Sequence, residues 1–108
     1  MKISKELVRG TTAVLILSVL EKEDLYGYKI LKELDIRSDN VFSLNEGSLY
    51  PYLHSLEKEN YLKSYWEEYD GRNRKYYHIT NKGKKLLSEK KSEWNVYSVA
   101  VNKVLNFA

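Results

Sequence analysis

The sequence predicts a mainly α domain with a two-stranded β-hairpin and a long terminal helix. Apolar residues recur at helical spacing in most of the chain, the period shifts to two across residues 61–79, and capping residues stand where the helices should begin. With 108 residues, 43% apolar and 31% charged, the chain has the size and composition of one ordinary globular domain.

Ser4 is placed to cap a first helix over residues 5–21, its hydroxyl accepting from unpaired N–H groups of the first turn. The second half of that helix, with Val14, Leu15, Ile16, Leu17, Val19 and Leu20, is apolar nearly all round. It therefore needs two partners, its own domain and a second subunit. Asp24 is expected to cap a short second helix in which Gly27, Ile30, Leu31 and Leu34 share one side. A glycine inside a helix costs up to about 1 kcal/mol against alanine, and a close helix crossing at Gly27 would explain it. Residues 35–44 break the periodicity and read as a turn into a third helix, capped by Asn45. There Leu49, Leu53 and Leu56 define a buried stripe. Pro51 removes a donor that would have paired with the Gly47 carbonyl, which should distort the first turn.

From Tyr61 to Tyr69 the pattern alternates, with Leu62, Ser64 and Trp66 pointing one way and Lys63, Tyr65 and Glu67 the other. After a turn over residues 70–74, Tyr77 and Ile79 share one face while Tyr76 and His78 take the other. Thr80 caps a final helix over residues 81–106. Its Leu87, Trp94 and Val101, with Tyr97 and Val104 offset by three, occupy a and d positions, and Lys90 is the polar d residue. Such a helix is a rod of about 39 Å, longer than a three-helix core of this size covers. Its far half wants a second chain.

Several function classes are disfavoured. Without cysteine there is neither a disulfide framework nor a thiolate metal site, as suits a reducing cytoplasm. His54 and His78 lie on different elements and make no metal motif, so no metal or other cofactor is expected. No glycine-rich phosphate loop and no nucleophile paired with a base points to an enzyme, and no catalytic residue is assigned. The apolar run from Ala13 to Leu20 is too short to span a bilayer, and its charged flanks do not resemble a signal peptide. A cytoplasmic protein without a membrane partner is expected.

The sequence is compatible with polyanion recognition. The net charge of +3 says little alone, but charge is segregated: Arg72, Arg74 and Lys75 cluster at the hairpin turn, while Glu57, Glu59, Glu67 and Glu68 lie elsewhere. Opposite the leucine stripe, the third helix presents Ser48, Pro51, His54, Ser55 and Lys58, a small, polar, weakly basic face of the kind that enters a major groove. Ser48, His54 and Ser55 would reach base edges or phosphates, with Tyr50 and Lys58 on flanking phosphates. Arg72, Arg74 and Lys75 would follow a phosphate track, or Arg74 would enter a narrow minor groove. Lys2, Lys5 and Arg9 add candidate phosphate contacts. By periodicity alone the same helix face also reads as ordinary solvated surface, and the basic turn as an ordinary polar hairpin.

Three helices, a hairpin wing and a final helix make a winged helix-turn-helix. Gly47-Ser48-Leu49-Tyr50-Pro51 with Leu53, Leu56 and Glu57, then Arg74-Lys75-Tyr76-Tyr77 with Ile79-Thr80 and Gly83, resembles the PadR family of bacterial transcriptional regulators. Leu25-Tyr26-Gly27-Tyr28-Lys29-Ile30 is similar to that family's second-helix signature. One departure is Asn73 between Arg72 and Arg74, where the family's wing is richer in glycine and arginine. The resemblance covers nearly the whole chain and points to the short subfamily with a single helix after the wing. It implies a winged helix-turn-helix DNA-binding domain at residues 1–79 and a dimerisation helix at 80–108. It also implies a homodimeric repressor on a pseudo-palindromic double-stranded DNA operator, released by a small aromatic or drug-like effector. On that view Ser48, Tyr50, His54, Ser55, Lys58, Arg72, Arg74, Lys75 and Tyr76 form the DNA-binding set.

Trp94 carries two readings: packing in the dimer, or an indole that with its symmetry mate sandwiches a flat effector. Tyr97, Lys90, Val8, Ala13 and Val101 are further candidates for that interface pocket. The alternative function is a winged-helix protein-interaction module without a specific operator, using its long helix to pair with another protein.

Overall fold

The computed structural model describes residues 3–107. In chain order it comprises α1 (Lys5–Arg9), α2 (Thr12–Lys22), β1 (Leu25–Tyr26), α3 (Gly27–Arg37), α4 (Glu46–Lys58), β2 (Leu62–Tyr69), β3 (Arg72–Ile79) and α5 (Asn81–Val104). The expected first helix is thus two. The break falls at Gly10 and Thr11, where the hydroxyls of Thr11 and Thr12 both donate to the Val8 carbonyl, at 3.3 and 2.8 Å. A hydroxyl that takes a helical carbonyl competes with the backbone ladder there. The Ser4 side chain makes no capping hydrogen bond.

Asp24 does not cap the next helix either. Tyr26 holds the N-cap position of α3, and Asp24 instead ties distant strands together. Its Oδ2 accepts from the Tyr65 hydroxyl at 2.6 Å, and its Oδ1 lies 2.8 Å from His78 Nδ1. That hydrogen bond, then burial and the Asp24 charge, push the Tyr65 phenol up to about 12 from 10.0. The helix also runs on to Arg37, past the expected start of the turn, and the chain reverses at Asp39 and Asn40, both with positive φ. Asn and Asp tolerate that left-handed conformation better than other non-glycine residues.

The hairpin pairs Leu62 with Ile79 through to Tyr69 with Arg72. Its turn is only Asp70 and Gly71, with φ of 53° and 75°, the two positive values of a tight hairpin turn that matches the strand twist. Arg72, Arg74 and Lys75 therefore belong to β3 and not to the turn. A third strand extends the expected two: β1 pairs antiparallel with β3, giving the order β1-β3-β2.

One core joins these elements. Ile16, Leu17 and Leu20 of α2 meet Ile30 and Leu34 of α3, the Leu49, Leu53 and Leu56 stripe of α4, Leu62, Tyr77 and Ile79 of the sheet, and Leu87 of α5, all buried. Asn45 caps α4 as expected, accepting from the Ser48 amide at 2.9 Å, and the helix runs unbroken through Pro51. Thr80 caps α5 by accepting from the Gly83 amide at 3.0 Å, and its hydroxyl donates to the Asn60 carbonyl at 2.7 Å. Gly83 lets α5 start directly against the Tyr61 carbonyl, a backbone atom that cannot move aside for a side chain.

Two outcomes follow. Gly83→Ala should lower stability by about 1–3 kcal/mol through overpacking while Gly10→Ala, in open space, leaves the melting temperature nearly unchanged; equal melts would mean that α5 does not start against Tyr61. Asp24→Asn should bring the Tyr65 phenol down from about 12 toward 10.0, read from its ring resonances in a pH titration. Because the folded state holds that phenol neutral, its contribution is complete below pH 10 and fades as pH rises toward about 12.

Candidate nucleic-acid interface

The rotation of α4 is set by its leucines: Leu49 and Leu53 are fully buried and Leu56 nearly so. Ser48, His54, Ser55 and Lys58 are consequently exposed along the other side. Tyr50 is half-buried and packs against the core, with His54 beside it at 6.3 Å between ring centroids. A Cβ added to Gly27 would stand 2.6 Å from the Tyr50 hydroxyl oxygen, so the close crossing expected at Gly27 is with this tyrosine. Tyr50 thus serves the α3–α4 contact before any contact outside the chain.

The pleat divides the wing's cations. Lys75 shares the inner face with Tyr77, while Arg72, Arg74 and Tyr76 lie on the outer face with Tyr65 and Tyr69. On the inner face Glu57 of α4 accepts from the Ser64 hydroxyl and lies 3.8 Å from the Lys75 ammonium, joining the end of α4 to the wing. That pair is part-exposed, and such pairs contribute at most about 1 kcal/mol, so Lys75 can exchange Glu57 for another anion. Trp66, opposite Lys75, is 64% exposed. Beneath them burial, aided by the Glu57 charge, pushes the Tyr77 phenol up to about 12.

On the outer face Tyr65 and Tyr76 stack at 5.7 Å, Tyr26 meets Tyr76 edge-on at 5.5 Å, and Tyr69 lies 6.4 Å from Tyr26. The Arg74 guanidinium sits 4.4 Å from the Tyr26 centroid and 5.9 Å from that of Tyr69. Burial raises the Tyr76 phenol, with the Arg74 charge opposing. The sequence reading thus grouped three cations that the structure separates: Arg72 exposed, Lys75 beside α4, and Arg74 among tyrosines. It also gave no site role to Tyr26, Trp66 and Tyr69. The period-two spacing of Tyr65 and Tyr69 was the available signal for that aromatic face. Lys5 and Arg9 are exposed on α1, and Lys2 lies outside the described residues.

The effector candidates do not form one enclosed site within the chain. Trp94 and Tyr97 are exposed neighbours with centroids 6.3 Å apart, and Lys90 turns to Glu93 at 3.3 Å. Tyr97 and Val101 line an open apolar groove of about 280 Å³ with Ala100, Val104 and Leu105. Val8 is half-buried on α1, and Ala13 packs against the core. Among the described residues no group of three or more His, Cys, Asp or Glu side chains could hold a metal ion, and no helix is long and apolar enough to cross a membrane.

Comparison with known proteins agrees with this architecture. Residues 16–89 match the Transcriptional regulator PadR-like family. A solved transcriptional regulator from Clostridium thermocellum is 37% identical, with 92% of this chain and 97% of that one covered at a TM-score of 0.85. A PadR family transcription regulator from Clostridium difficile is 41% identical, with 88% and 98% covered at a TM-score of 0.78. The transcriptional regulator Rv3488 of Mycobacterium tuberculosis is 32% identical over 79% of this chain and 77% of its own length. With its leucine-anchored α4, its hairpin wing and a match across more than half its length, the chain belongs to the PadR family of transcriptional regulators and is a DNA-binding regulator rather than an enzyme.

Proposed function

We propose that the chain is a homodimeric repressor whose two α4 helices enter successive major grooves of a pseudo-palindromic operator. The observation that carries the DNA contact is the exposed polar row of Ser48, His54, Ser55 and Lys58 on a helix rotated by three buried leucines. Serine and histidine read base edges less selectively than bidentate arginine or asparagine, so specificity is modest and phosphate contacts supply much of the affinity. Arg72 and Lys75 hold flanking phosphates, with Lys5 and Arg9 in support. Tyr50 and Tyr76 act mainly by shaping the surface.

Dimerisation is supported by α5, on which only Gly83 and Leu87 are buried. Beyond them Trp94, Val96, Tyr97, Val99, Val104 and Leu105 are exposed, an apolar surface that a lone chain rarely leaves uncovered. Residues 80–108, with α5 as their helix, then form the dimerisation segment that follows a DNA-binding unit at residues 1–79. A planar aromatic effector between paired Trp94 side chains would shift the separation of the α4 helices, so effector and DNA oppose one another by linkage.

Selection of bound duplexes from a random pool, at two salt concentrations, tests the reading. It should enrich a two-fold symmetric site with half-site centres about 34 Å apart. Salt-sensitive retention without enrichment would leave a nonspecific DNA-binding protein, and no retention would favour the protein-interaction module. For the effector, Trp94→Ala should abolish binding of planar aromatic dyes, read by titration calorimetry, while sedimentation still reports a dimer. Dissociation to monomers would instead make Trp94 a packing residue.

A further inference from the structure

Arg74 lays its guanidinium against tyrosine rings. Its guanidinium lies over Tyr26 at 4.4 Å and near Tyr69 at 5.9 Å, and its Nε is buried without a hydrogen-bond partner. The two rings come from different parts of the molecule. Tyr26 belongs to β1 and starts α3 at the body of the domain, whereas Tyr69 is the last residue of β2, next to the wing's turn. A planar, weakly hydrated guanidinium set beside the two rings, nearer Tyr26, suits aromatic faces in a way that an ammonium does not.

The outer half of the hairpin has little else to orient it. Trp66, Glu67, Glu68, Tyr69, Asp70, Gly71, Arg72 and Asn73 are all exposed, so no buried side chain anchors the tip. We propose that Arg74 is a positioning residue that clasps the wing tip to β1 through Tyr26 and Tyr69, thereby fixing where Arg72 and Lys75 stand relative to α4. Its consequence for DNA rests on the function proposed above. The clasp itself is a property of the free protein.

The test has two parts, on the full chain. In free protein, amide hydrogen exchange at residues 66–73 should quicken about two- to thirtyfold in Arg74→Ala and in Tyr26→Leu, the range that a lost cation–π contact corresponds to. The double variant should exchange no faster than either single one, and Tyr69→Leu, at an exposed site, should act in the same direction without threatening the core. Unchanged exchange at the tip in Arg74→Ala and Tyr69→Leu would overturn the clasp.

In DNA binding, a direct phosphate contact would be largely restored by Arg74→Lys, indifferent to Tyr26→Leu, and worth about one unit of salt slope. The clasp requires the opposite: Arg74→Lys fails to restore affinity, and Tyr26→Leu reproduces the loss seen in Arg74→Ala. Restoration by lysine with an unaffected Tyr26→Leu would return Arg74 to the phosphate contacts. Should the wild-type chain bind no duplex, the exchange result still decides the clasp, and the DNA-binding reading alone falls.

Discussion

Burial of one leucine stripe on α4 constrains the rest of the molecule. Leu49, Leu53 and Leu56 fill the space between α2, α3 and the sheet. Burying each such side chain contributes about 1.5–3 kcal/mol, against a total stability of roughly 5–15 kcal/mol for a domain. Rotating α4 about its axis would forfeit a large part of that total, so the face it offers to solvent is fixed. Asn45 sets where the helix starts, and Glu57, next to the last leucine, joins its end to Ser64 and Lys75 of the wing. The end of α4 and the inner face of the wing are in this way joined, next to the same core.

The wing follows a second rule, the alternation of a strand. Since Asp70 and Gly71 alone make the turn, the basic run enters β3 and neighbouring residues face opposite ways. A cluster in sequence becomes three environments in space: solvent for Arg72, the α4 side for Lys75, and a tyrosine face for Arg74. Neighbouring basic residues of this wing therefore do not share one environment.

Where a local pattern carried the structure, the sequence was legible. The leucine stripe, the caps Asn45 and Thr80, the hairpin and the long last helix all rest on periodicity or on a side chain reaching a nearby amide, and they recur in the structure with modest shifts at their ends. Other features depend on partners far along the chain. Asp24 looks like a helix cap from its neighbours, yet it bonds Tyr65 and His78, 41 and 54 residues away. Two residues of β1 are too few to show a period. The aromatic clasp is hidden for the same reason, as Tyr26, Tyr69 and Arg74 meet only once β1 has joined the sheet.

The domain keeps two surfaces apart, the polar face of α4 with its wing and the apolar far half of α5. The most direct test of the central claim is hydrogen exchange over the whole chain with and without a selected DNA duplex. Protection should fall on residues 45–58 of α4 and on the wing around residues 72–75, with α5 unchanged. Protection confined to α5, leaving α4 and the wing untouched, would contradict the account.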